Sequence, residues 1–305
     1  MRFLIAAALL AALAGCRQYQ PNTGSIKIDP ELEALVPADT MFIMGANVDA
    51  IRNTPVYQKH IGIVELPRLN EFTKESGVDP RKDLWQVLSV SNGKTGILMA
   101  RGKFNEGDLE PRLKKTGAVR FGYKGLNFWG DEQRNALVFI DSTTALTGST
   151  AALKSIVDGR NGGHHGLPAA LAARMRAVPS ESQIWAAFTG GVQGLNITVP
   201  EDSNLGNLLR VFKGLDSAVL GIDLRNGFDL YADALCKTGN DAKQVRAALK
   251  GIIGLGRLST PDNKPDLLKL YDAIDVEQTQ NKVTATAHIP PDLADRFVDM
   301  WVKKQ

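Results

Sequence analysis

Two stretches of this chain run in the same order of strand, Asn-Gly turn, strand and amphipathic helix, and that repetition constrains the fold more than any other feature. The first is "VLSVSNGKTGILMARGKFNEGDLEPRLKK" (87–115) and the second "VLGIDLRNGFDLYADALCKTGNDAKQVRAALK" (219–250). Asn92-Gly93 and Asn226-Gly227 are strong hairpin signals, because both central positions of a tight two-residue turn call for positive φ. Two further pairs flank them. "DTMFIMGANV" (39–48) and "ESQIWAAFTGGV" (181–192) are each an apolar strand after a proline-containing turn. "NALVFIDSTTALTGSTAALKSIVDG" (135–159) and "YDAIDVEQTQNKVTATAHIPPDLADRFVDMW" (271–301) are each a hairpin that feeds a closing helix. Repetition on this scale points to an internal duplication.

Capping residues bound the helices. Asn105 or Asp108 precedes Leu109 and Leu113, and Asn240 or Asp241 precedes Val245, Ala248, Leu249, Ile252 and Ile253. Ser149 or Thr150 opens a helix whose Leu153, Ile156 and Val157 share one face, and Pro290 and Pro291 suit a first turn. Alternation gives each sheet one apolar face that helices or a second sheet must cover. The expected architecture is α+β: two similar halves, 38–178 and 179–305, each an antiparallel sheet backed by helices. A single sheet running through both halves is the alternative, and the break falls within 158–182.

The amino terminus fixes location. Arg2 and the apolar run Phe3–Leu13 form an export signal, too short for a helix across a bilayer, which needs roughly 20 apolar residues. Leu13-Ala14-Gly15-Cys16 resembles the bacterial lipobox. That resemblance implies removal of residues 1–15 and lipidation of Cys16 as the new N-terminus, with several acyl chains giving a firm anchor. Residues 16–37 contain Pro21, Gly24 and Pro30 and read as a flexible tether. Arg17 stands where the inner-membrane retention signal of such lipoproteins has aspartate, which implies the outer membrane, facing the periplasm.

The chain without residues 1–15 is that of an ordinary folded protein. Hydrophobic residues make up 44% and charged residues 23% of the 305. The net charge of +3 includes Arg2, so the body carries +2, which argues against nucleic acid as a partner. With Cys16 lipidated, the second of the two cysteines, Cys236, has no intramolecular partner. It shares a face with Phe228, Leu230, Ala232 and Ala234 and reads as a small buried hydrophobe.

Candidate chemistry is sparse. The histidines are His60, His164, His165 and His288. The sequence suggests no partner for His60, and His288 reads as a strand-end surface residue. His164 and His165 in "GGHHG" lack the further ligands of a zinc site. Asp223, Asp229 and Asp233 alternate onto one polar face and are expected to be solvated. Asp79 ahead of Pro80 reads as a turn or a helix start. "GIIGLG" (251–256) lies at the C-terminal end of an expected helix, where the dipole repels anions, and "FTGGVQG" (188–194) lacks the lysine and following hydroxyl of a phosphate loop. Trp85, Trp129, Trp185 and Trp301 are expected in the core. No catalytic constellation, cofactor site or metal site follows.

The phrases "LVPADTMFIMGANVDAIRNTPVYQKH", "GVDPRKDLWQVLSVSNGKTGILMARGKF" and "ALVFIDSTTALTGSTAALKSIVDGR" together resemble a group of uncharacterised bacterial secreted proteins, best over 35–180. The resemblance brings a "vPAD"-type strand at the start of the domain and no catalytic residues. The expected function is a non-catalytic binding or assembly module, held at the membrane by its lipid and partnered by an envelope protein. An envelope hydrolase, or a carrier of an apolar ligand between the halves, are the competing classes. A cleft of convergent titratable groups would mark the first, and a deep apolar cavity the second. A filled interior with one broad apolar surface would mark the binding module.

Overall fold

The apolar strands at 42–47 and 184–189 have nowhere to hide their edges except against each other, and pairing them makes one sheet of the whole chain. The computed structural model describes residues 26–62, 67–160, 166–191, 212–261 and 263–302. Its twelve strands are β1 Phe42–Asn47, β2 Leu84–Ser91, β3 Gly96–Gly102, β4 Val119–Tyr123, β5 Leu126–Gly130, β6 Asn135–Asp141, β7 Thr144–Ser149, β8 Ile184–Thr189, β9 Leu215–Asp223, β10 Phe228–Cys236, β11 Ile274–Thr279 and β12 Lys282–Ile289. They form a single antiparallel sheet in the order β11-β12-β10-β9-β8-β1-β2-β3-β7-β6-β5-β4. The fold is α+β, as the pattern predicts, and the continuous sheet replaces the two separate ones.

At the seam, β1 and β8 run antiparallel with Phe42 opposite Phe188, Met44 opposite Ala186 and Gly45 opposite Trp185. On either side of it the strand order recurs: β1-β2-β3-β7-β6 in one direction and β8-β9-β10-β12-β11 in the other. The β4–β5 hairpin is the addition in the first half.

The Asn-Gly hairpins form, with a different turn. Gly93 and Gly227 have φ of 85° and 82°, but neither preceding asparagine is left-handed. The β2–β3 connection spans residues 92–95, and Asn92 Oδ1 accepts from the backbone N–H groups of Lys94 and Thr95 at 3.0 and 2.9 Å. The asparagine works through its side chain here, as an Asx turn. The tight two-residue turn instead joins β4 to β5, where Lys124 and Gly125 both take positive φ (46° and 81°).

One face of the sheet carries the main core. Directly opposed residues share a face, so Ile43, Leu88, Val90, Ile97, Met99, Leu146, Trp185, Ala187 and Val219 point the same way. Three helices cover them: α1 Pro30–Glu33, α6 Thr150–Gly159 and α7 Ala169–Met175, through Leu32, Leu153, Ile156, Val157, Leu171 and Met175. Ser149 caps α6 by accepting from the Ala152 N–H at 3.3 Å.

The remaining helices are α2 Val48–Arg52, α3 Pro67–Ser76, α4 Pro80–Asp83, α5 Glu106–Lys115, α8 Gly239–Leu258, α9 Pro265–Asp272 and α10 Pro291–Val302, with a π-helical turn at Tyr57–Ile61. Thr238, two residues before the first of the expected caps, caps α8 by accepting from the Asp241 N–H at 3.1 Å. On the second face, α5 covers a cluster of Phe104, Leu109, Trp129, Phe139 and Ala145. At the other end, α8 covers Leu215, Cys236, Val276 and Val283, and α10 covers Ile289, Phe228 and Leu230.

The expected tether 16–37 ends sooner than its composition suggests. Ile26, Leu32, Leu35 and Val36 are buried in the main core. The Asp29 N–H donates to Gln86 Oε1 at 2.6 Å, Gln86 Nε2 donates to the Lys27 carbonyl at 3.0 Å, and Arg101 Nε donates to Asp29 Oδ2 at 3.1 Å. A buried glutamine that satisfies the backbone of a passing segment holds it in place.

Gly45 is required by its neighbour. A Cβ there would collide with the Trp185 indole and stand 2.9 Å from Leu88 Cδ2, so the glycine lets the buried ring lie across β1. Gly45→Ala is expected to lower unfolding stability by about 1–3 kcal/mol, the range for overpacking a core, measured as the shift of the urea midpoint at constant slope.

Candidate functional site

Among the described residues, the helices leave the centre of the sheet's second face uncovered. The register aligns a row across six strands, Leu98, Ser89, Met44, Ala186, Leu220 and Ala232, and Ala285 of β12 carries it on beneath the α8 cluster. Five strand spacings of about 4.8 Å make the uncovered row about 24 Å long. Its large members stand out in solvent, with Leu98 and Met44 each 45% exposed and Leu220 36% exposed. Phe42 and Phe188 lie opposite each other in the next row, and Ala46 faces Ile184 on the other side. Scattered exposed leucines are ordinary, but a contiguous apolar surface of this kind marks a contact site.

The strands that build it are apolar on both faces. In "FIMGA" and "IWAAF" every second residue belongs to the main core and the intervening ones are also apolar. The simple expectation that each sheet has one apolar face, fully covered, fails here, because among the described residues helices cover the second face only at its two ends.

The chemistry-bearing residues lie elsewhere. Asp223, Asp229 and Asp233 do share one face, but they are buried rather than solvated, at 6%, 9% and 1% exposure. Each is engaged by a cationic or imidazole partner, as burial of a carboxylate requires. Arg174 on α7 donates to Asp233 Oδ1 at 2.5 Å, Lys282 on β12 reaches Oδ2 at 2.5 Å, and the Tyr231 hydroxyl donates to the same oxygen at 3.3 Å. Asp223 accepts from Arg225 Nε at 3.0 Å and Nη2 at 2.6 Å, and from Gln183 at 3.2 Å. Burial raises the proton affinity of Asp223, yet these donors outweigh it and hold its carboxyl below the usual range. Asp229 contacts Nδ1 of the half-exposed His288 at 2.5 Å. Burial first, then the Asp233 charge and hydrogen bond, push the Tyr231 phenol up to about 12.

His60, for which the sequence suggests no partner, is buried between Asp295 and Asp299 of α10. The spacing of the two aspartates at i and i+4 is visible in the sequence; the histidine they meet is 235 residues away. Cys236 is buried in its apolar cluster, and burial pushes its thiol up. Asp79 caps α4 through the Arg81 N–H at 3.0 Å. Trp129 and Trp185 are core residues. Cys16, His164 and His165 lie outside the described residues, as does the side chain of Trp301. Among the described residues no helix is long and apolar enough to cross a membrane.

No protein-family model matches the chain, and no curated protein matches it. A solved structure of TP0453 shares its fold. Crystal form III aligns with a TM-score of 0.52 and 10% identity over 91% of this chain and 99% of that one. Crystal form I covers 91% and 98% at 9% identity, with a TM-score of 0.46. At this identity the likeness concerns the fold alone.

Two outcomes follow from this geometry. Replacing Met44 and Leu220 together by glutamate is expected to remove most of the protein's binding of an apolar fluorescent dye, with a stability change of roughly 0.5 kcal/mol or less per exposed site. Tyr231 gives a pH dependence. Its folded proton affinity is raised, so its contribution is fully present below pH ~10 and is lost as pH rises towards about 12. Urea midpoints between pH 8 and 11.5 should fall by more in the wild type than in Tyr231→Phe, the difference amounting to on the order of 2 kcal/mol.

Proposed function

We propose that this chain is a lipid-anchored protein of the bacterial cell envelope, a non-catalytic binding module whose contact surface is the bare apolar centre of its sheet. The observation that carries the reading is the exposed row of Leu98, Met44 and Leu220. A pocket for a small apolar ligand encloses most of its guest. This face is open and broad, and it presents methionine, a residue type enriched in protein interfaces. The occupant is therefore an apolar surface of a second envelope protein. The buried carboxylates are each held by internal partners, which favours a structural role for them over hydrolysis.

The anchor is Cys16, with the body facing the periplasm from the outer membrane. Ile26 is fixed in the core, so only residues 17–25 separate the lipid from the folded body. Ten extended Cα steps keep that separation at about 35 Å or less. The strand order that recurs on the two sides of the seam supports an internal duplication.

Cys16→Ser is expected to move the protein from the membrane to the soluble fraction; equal membrane association would refute the anchor. The contact surface is tested with a photocrosslinking residue at position 220 in intact cells. A discrete protein adduct, lost in a Met44→Glu background, is the expected result. Labelling of lipid instead would turn the assignment towards a carrier.

A further inference from the structure

Helix α10 is held against the rest of the molecule by an ionic clip. The π-helical turn Tyr57–Ile61 places His60 beneath it, 6% exposed. Nδ1 of the ring lies 2.7 Å from Asp299 Oδ1 and Nε2 lies 2.8 Å from Asp295 Oδ1. Lys59, from the same turn, pairs with the second oxygen of Asp295. A neutral imidazole has one N–H and one lone pair; only the cation has two N–H groups to offer two carboxylates. Asp295 and Asp299 also stand at i and i+4 on one helix face, where like charges repel. The charged ring between them removes that penalty.

What the clip holds down matters because of where α10 sits. Leu293, Ala294, Phe297 and Val298 pack against Val56, Ile289, Phe228 and Leu230. Leu230 lies opposite Ile222, which lies opposite Ile184, so the strip beneath α10 continues the bare apolar face. Lifting the helix would extend that face by Phe228 and Leu230.

We propose that the His60–Asp295–Asp299 clip makes α10 a pH-sensitive strap, closed while the ring carries both protons and loosened as pH rises. Loss of one proton leaves a lone pair aimed at a carboxylate. Among the described residues, the titratable and charged groups on the elements packed against the ring are Tyr57 and Lys59 on its own turn, Asp292, Asp295, Arg296 and Asp299 on α10, and Asp49 and Arg52 on α2, which pair with each other. Asp266 on the neighbouring α9 is taken up by Arg296 at 2.9 Å. The clip stands on its own geometry; only its consequence for the apolar face rests on the binding reading.

Amide hydrogen exchange of residues 293–298 in the intact protein tests it, with rates corrected for intrinsic exchange between pH 5.5 and 9. Protection is expected to fall by roughly tenfold across that range, the equilibrium worth of one charged hydrogen bond. Asp299→Asn supplies an amide that can donate to the free ring nitrogen, so its protection should stay high and flat. His60→Gln should show reduced protection at pH 5.5. A pH-independent wild type, or an Asp299→Asn profile that follows the wild type, would overturn the proposal. Apolar-dye binding over the same range reads the consequence separately. If exchange responds and dye binding does not, the strap stands and the binding face is what fails.

Discussion

The pairing of β1 with β8 is the contact on which the remainder of the structure depends. Each is the first strand of its half, and each would otherwise present a free edge of unpaired N–H and C=O groups beside a strongly apolar sequence, a surface prone to aggregation. Joined antiparallel, they satisfy each other's ladders and place Trp185 across Gly45 within one core. That core draws on α1 and α6 from the first half and on α7 just before the seam, so the covering layer crosses it as well.

From the seam the other properties follow. A sheet of twelve strands is wider than its helices can cover on both faces. One face is closed by short elements near the seam, among them residues 26–37, whose sequence looks like linker. Among the described residues the second face is closed only at its ends, by α5 on one side and by α8 and α10 on the other, which leaves the strands at the seam uncovered. The seam thus creates both the interior and the surface proposed as functional. The buried ion pairs have a different part: Asp233, held by Arg174 and Lys282, ties α7 and β12 to β10. Such pairs add more to the uniqueness of an arrangement than to net stability.

Much of this was legible in the residues. Alternation, Asn-Gly turns and capping residues located the hairpins and helices, and Cys236 and two of the tryptophans fell in the core as their patterns implied. What could not be read depended on contacts distant in sequence. The choice between two sheets and one turns on whether β1 meets β8, and neither strand carries a local mark of its partner. Ile26 and Val36 resemble tether until Gln86 and Arg101 arrive from β2 and β3. Asp223, Asp229 and Asp233 have the alternation of a solvated face, and their burial comes from the basic groups that α7, β12 and the β9–β10 turn bring to them. His60 likewise had no visible partner, because its two carboxylates belong to the last helix. The bare face was hidden for a simpler reason: a strand that is apolar on both sides gives no sign of which side will be covered.

The central claim is that the seam makes the two halves one cooperative unit. Native-state hydrogen exchange of the backbone amides of Phe42–Asn47 and Ile184–Thr189 under increasing urea tests it most directly. These amides are expected to exchange only through global unfolding, with the same free energy and urea dependence as the slowest amides of β2 and β9. Seam amides that exchanged through a smaller opening, while the strands on either side stayed protected and unfolded in two separate transitions, would contradict it.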